Sequence, residues 1–112
     1  MIEINEKNGV LVAEFTNQDR FNSPVADTVK EQLLEVFTKP NSKLVLNLKS
    51  IKFIDSSGFS VLLTVMKAAN NNYGEFKICN TLPEVKELFK LLQLHNVFEL
   101  FENLDDCIAS FN

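Results

Sequence analysis

What this chain of 112 residues has little of excludes more than what it has in plenty. It holds one histidine, His95, and two cysteines, Cys79 and Cys107, far apart in sequence. A structural zinc site needs a cluster of such ligands, so no metal is expected, and the two thiols read as reduced and structural. The glycine-rich phosphate loop is missing, and so is the alternation of glycine and serine that marks a nucleophile elbow. A serine nucleophile also needs a base within reach, and Leu94-His95-Asn96 has nothing around it that places His95 near a serine. The expectation is a protein that is not an enzyme, with no catalytic residue and no cofactor.

Long apolar runs are missing too. The longest, Phe59 to Met66, is broken by Ser60 and Thr64 and is too short to cross a bilayer, and no basic-then-apolar leader opens the chain. A cytoplasmic location without membrane insertion is expected. The formal net charge is −4 with a pI near 4.9, and the cationic residues are scattered. That gives no footprint for a phosphate backbone, so nucleic acid is not an expected partner. What is present is a globular composition, 46% hydrophobic with ten phenylalanines, enough for one domain over residues 1–112 to fold on its own core, expected to be a monomer.

Along the chain, apolar segments Ile2 to Glu6 and Val10 to Phe15 flank Lys7-Asn8-Gly9, the signal of a β-hairpin. Thr16 to Asn22 is polar and reads as a surface loop. Ser23-Pro24 then predicts a helix start, with Ser23 as cap, and Val25, Val29, Leu33, Val36 and Phe37 form its apolar stripe up to Lys39-Pro40. Lys43 to Leu48 reads as a central strand, Ser57 to about Asn70 as a helix that Gly74 caps, and Glu75 to Asn80 as another strand. Thr81-Leu82-Pro83-Glu84 has capping-box spacing before a third helix. Val97 to Leu100 suggests a short last strand, and Asn103 starts a fourth helix docked by Ile108 and Phe111. The order implies an α/β fold: a mixed, mostly parallel sheet with an N-terminal hairpin and about four helices.

In such sheets sites gather beyond the carboxyl ends of the strands, where this chain puts Asp55-Ser56-Ser57-Gly58 and the loop from Thr16 to Asn22. The two could share one surface. Asp, Ser and Gly at a helix start are what capping alone requires, yet one cap needs one such residue, and here hydroxyls are in surplus. On a helical wheel Phe59, Leu62, Leu63, Met66 and Ala69 form the core stripe, while Ser57, Val61, Thr64 and Ala68 make a small, weakly apolar outer face. Such a face suits a docked partner; a helix packed among its own neighbours would look the same.

These residues resemble a known family. Lys43-Leu44-Val45-Leu46-Asn47-Leu48, then Phe53-Ile54-Asp55-Ser56-Ser57-Gly58-Phe59, Lys77-Ile78-Cys79 and Pro83-Glu84-Val85-Lys86-Glu87-Leu88-Phe89 are similar to the STAS domain of the bacterial anti-sigma factor antagonist type. The resemblance covers nearly the whole chain. It implies a phosphorylation switch at Ser56, with Asp55, Ser57 and Gly58 completing the motif. An anti-sigma factor with serine kinase activity would be bound when Ser56 is free and released when it is phosphorylated, and a serine phosphatase would reverse the change. The expected partner surface comprises Asp19, Arg20, Phe21, Asn22, Ser23, Phe59, Ser60, Val61 and Thr64; Asn22 stands where many members carry an acid. The alternatives are a STAS subunit of a membrane transport or lipid-trafficking complex that docks without phosphorylation, and a small-ligand sensor with an apolar pocket.

Overall fold

The structure, a computed structural model, describes residues 1–111. Strands β1 (Ile2–Lys7) and β2 (Val10–Phe15) form the hairpin, antiparallel from Ile2↔Phe15 to Lys7↔Val10. Asn8 and Gly9 both take positive φ, 55° and 80°, as a two-residue turn matched to the strand twist requires. Then follow β3 (Arg20–Phe21), α1 (Ser23–Val36), β4 (Lys43–Asn47), β5 (Phe53–Ile54), α2 (Ser56–Asn71), β6 (Glu75–Cys79), α3 (Pro83–Leu91), a 3-10 turn (Leu94–Asn96), β7 (Leu100–Phe101) and α4 (Leu104–Ala109). The main sheet runs β1-β2-β4-β6-β7 and is parallel from β2 onward. The expected fold class is what forms.

Alternation along the central strands divides the core in two. Ala13, Leu44, Leu46, Phe76 and Ile78 face the helical layer, meeting Val29 and Leu33 of α1, Leu62 and Val65 of α2, and Val85 and Phe89 of α3. Val10, Val12, Val45 and Cys79 face the other way, against Cys107 and Ile108 of α4. On that second face Lys77 is buried, and its ammonium closes the end of α4: it donates to the Ser110 carbonyl at 3.2 Å and to Ser110 Oγ at 2.9 Å. It also pairs with Glu99 at 3.7 Å and lies 4.6 Å from the Phe111 ring centre. A cation suits this place, the negative end of a helix. Among the described residues no helix is long and apolar enough to cross a membrane.

Several local expectations are corrected. Ser23 is the first residue of α1, not its cap; Asn22 stands at the cap position and makes no side-chain cap bond. The Thr81–Glu84 box does not form either, because Leu82 takes the cap position and Pro83 the first helical one. Gly74 is not the left-handed residue after α2. Tyr73 is, at φ 57°, and a Cβ on Gly74 would lie 2.8 Å from the Phe37 ring, so the glycine allows close packing. The last strand is Leu100–Phe101, starting three residues later and ending one residue later than expected, because the 3-10 turn occupies 94–96.

The stripe of α2 is rotated from the wheel. Val61 is buried and Leu63 is 43% exposed, since the helix packs on α1 as well as on the sheet and the flank toward α1 is covered.

Candidate functional site

The serine junction is built by a second, two-stranded sheet that the sequence does not announce. β3 pairs parallel with β5, Arg20↔Phe53 and Phe21↔Ile54. The Lys52 amide donates to the Asp19 carbonyl at 2.7 Å and the Asp55 amide to the Phe21 carbonyl at 3.2 Å. The loop after β2 is thus zipped along the segment that leads into α2, and the two stretches share one surface. Phe21 is its anchor: fully buried, with its ring 5.1 Å from that of Phe15.

Asp55 caps α2. Its Oδ1 accepts from the Gly58 amide at 3.1 Å, and its Oδ2 accepts from the Ser23 amide, at the start of α1, at 3.3 Å. One carboxylate therefore satisfies free amides of two helices. Gly58 sits where nothing larger fits, for a Cβ there would lie 2.5 Å from the Phe21 carbonyl oxygen and 2.7 Å from Ile54 Cγ2. Ser56, the first residue of α2, is exposed, and Ser57 is half-buried. The Ser56 hydroxyl makes no hydrogen bond among the described residues. The side-chain cap of α2 is made by Asp55 without it.

Around the serine, the expected partner residues separate into two groups. Asp19, Arg20, Ser23, Ser60 and Thr64 are exposed and Asn22 is half-buried. Phe21, Phe59 and Val61 are corrected: at 0%, 6% and 4% exposure they form the floor under that surface. Apolar side chains beside a polar loop look like contact residues in sequence; here the core claims them. The rings of Phe59 and Phe89 meet edge to face at 5.1 Å. Two residues were missed. Leu63 lies one turn beyond Ser60 on the open side of α2, and Phe53, 41% exposed, carries the Arg20 guanidinium 5.6 Å above its ring. Phe53 and Ile54 are neighbours in an extended segment, so one of the two must face out, but the sequence does not say which.

The ends of the central strands are closed by a separate polar network. Buried Asn47 donates to Glu14 Oε1 at 3.3 Å, while its own oxygen accepts from the Lys49 amide at 3.1 Å and from Asn80 at 3.2 Å. Its polar atoms are occupied, so it is structural. His95 is exposed on the 3-10 turn and lines a shallow groove with Lys86, Lys90 and Val97, a groove to which no residue of the serine junction contributes.

On the second face of the sheet, the Cys79 thiol is pushed far up from its ordinary value, first by its hydrogen bond with Cys107 and then by burial. The same bond draws Cys107 down, with burial opposing.

Comparison with known proteins gives a consistent result. The family model described as STAS domain matches residues 1–107. The anti-sigma F factor antagonist of Paenibacillus polymyxa is 29% identical over 103 residues, covering 91% of this chain and 86% of that protein. An anti-sigma-factor antagonist (STAS) domain protein from Planctomyces limnophilus superposes with a TM-score of 0.86 at 17% identity, covering 97% and 96% of the two chains. The Bacillus cell fate determinant SpoIIAA in its phosphorylated form superposes with a TM-score of 0.70 at 13% identity, covering 97% of each.

Proposed function

The chain belongs to the STAS domain family, and within it we propose that this protein is an anti-sigma factor antagonist switched by phosphorylation of Ser56. The observation that carries this reading is the division of labour at the junction. Asp55 caps both helices, and Ser56, beside it, is exposed with its hydroxyl unused. The similarity to the Paenibacillus antagonist over nearly the whole chain supports the role. In the transfer, Ser56 Oγ forms a bond to the γ-phosphorus of a nucleoside triphosphate, the bond to the β-phosphate oxygen breaks, and the hydroxyl proton passes to a base of the kinase. This domain is the substrate and supplies no catalytic group.

The product adds roughly −1.5 to −2 charge at the positive end of a helix of sixteen residues. An anion is welcome there, so the fold persists. A partner seated on the same spot would instead bury a dianion next to the Asp55 carboxylate, and like charges brought together at an interface cost several kcal/mol. A loss of about 1.4 kcal/mol is already tenfold in affinity, so release needs no change of fold. The partner is an anti-sigma factor with serine kinase activity, and a serine phosphatase restores the bound state. The contact surface comprises Ser56, Ser60, Leu63 and Thr64 on α2 with Asp19, Arg20 and Ser23 beside them, and an exposed leucine among small polar residues gives it an apolar centre.

Intact-mass measurement after incubation with ATP and the kinase-type anti-sigma factor of the same genome tests the reading. One phosphate on the native chain and none on Ser56→Ala is the expected result. No uptake by the native chain, or equal uptake by the variant, removes the switch. Recovery of a transporter subunit and no kinase-like protein in a pull-down would favour docking without phosphorylation.

A further inference from the structure

The Asp55 carboxylate is shared between two helices whose starts lie far apart in sequence, and its two bonds are unequal. The bond to Gly58 is local to α2, partly buried and 3.1 Å long; the bond to Ser23 spans thirty-two residues, is exposed and is 3.3 Å long. Because Asn22 makes no side-chain cap bond, Asp55 is the side chain that holds the Ser23 amide. The next residue along from Asp55 is Ser56.

We propose that Asp55 couples Ser56 to the start of α1: negative charge on Ser56 loosens the carboxylate oxygen that holds Ser23 and spares the one that holds Gly58. An anion on Ser56 competes with the carboxylate for the same positive helix end and repels it, and charges at a partly buried helix start are screened less than on open surface. The longer, exposed bond yields first. The backbone bonds from Lys52 to Asp19 and from Asp55 to Phe21 carry no net charge and hold, so the change is confined to Ser23 and the first turn of α1. The modification is thereby reported on the α1 side of the surface as well as at the serine. This coupling deepens the switch proposed above and rests on it for its trigger, although a charge introduced by substitution suffices to test it.

Backbone amide exchange followed by NMR on the full chain is the test, with Ser56→Glu, Asp55→Asn and the double variant beside the native protein. Asparagine keeps one oxygen for Gly58 and removes the charged acceptor from Ser23. Asp55→Asn is expected to speed Ser23 exchange by about tenfold, the weight of a hydrogen bond to a charged group, with Gly58 little changed. Ser56→Glu should speed Ser23 in the same sense, and the double variant should not exceed Asp55→Asn. Unchanged Ser23 exchange in Ser56→Glu, or a full additional effect in the double variant, overturns the coupling. Should Asp55→Asn fail to fold, the Ser56→Glu comparison alone decides. Phosphate uptake with Ser23 unchanged would sink the coupling and leave the switch; no uptake, with Ser23 responding to Ser56→Glu, would sink the switch and leave the coupling.

Discussion

The backbone amide of Ser23 donates to Asp55 Oδ2 at 3.3 Å, across thirty-two residues of chain, while the other oxygen of that carboxylate caps α2 through Gly58. One side chain does the work of two caps, and its neighbour Ser56 is left without structural duty. Adjacent substitutions should therefore differ. Asp55→Ala removes both bonds and is expected to cost about 1–3 kcal/mol, whereas Ser56→Ala should stay within about 0.5 kcal/mol. Urea denaturation followed by circular dichroism separates the two; equal losses would contradict the division.

Gly58→Ala should destabilise although it adds the best helix former. In an open helix that change gains up to about 1 kcal/mol. Here the new methyl would lie 2.5 Å from the backbone carbonyl of Phe21, which cannot move without breaking β3 from β5, and the expected loss is about 1–3 kcal/mol. A lowered melting temperature checks it, and a raised one would mean that the junction is looser than the structure has it.

Phe21 and Leu63 should separate folding from binding. Phe21→Ala empties a fully buried site and is expected to cost about 3–5 kcal/mol, so any loss of partner binding follows from loss of fold. Leu63→Ser changes a side chain 43% exposed and should leave stability within about 0.5 kcal/mol while weakening the partner by about tenfold or more. Calorimetric titration beside thermal melts reads both. Leu63→Ser with native affinity would move the contact surface elsewhere.

The cysteine pair predicts a dependence on alkaline pH. The Cys79 thiol is raised above its ordinary value of 9.0 by Cys107 and by burial, so the folded chain keeps a proton that the unfolded chain gives up. The Cys79 contribution is full below that ordinary value and falls as pH rises above it; Cys107, lowered in the folded chain, works the other way below that value, so the fall is read above it. Denaturation midpoints measured either side of the ordinary thiol value should show the fall in the native chain and a flatter course in Cys79→Ala. Identical slopes would contradict it.

Much of the fold was legible because strand and helix periods are written separately in this chain: the hairpin, the run Lys43 to Leu48 and the serine junction each carry their own local signal. What was illegible depended on packing between distant elements. Val61 and Leu63 are both apolar and two positions apart, and only the seat of α2 on α1 decides which is covered. Phe21 lies in a polar stretch, and its burial depends on pairing two-residue strands too short to leave a pattern. Ser23 carries the chemistry of a cap, yet the carboxylate that holds its amide comes from another helix. Tyr73 takes the left-handed position that residue type assigned to Gly74, since Gly74 is needed against Phe37.

The most direct test of the switch is calorimetric titration of this protein with the kinase-type anti-sigma factor of the same genome, before and after phosphorylation of Ser56 confirmed by intact mass. The account predicts binding by the unmodified chain and affinity weaker by about tenfold or more for the phosphorylated one, with melting temperature preserved. Equal affinity of the two forms would contradict it.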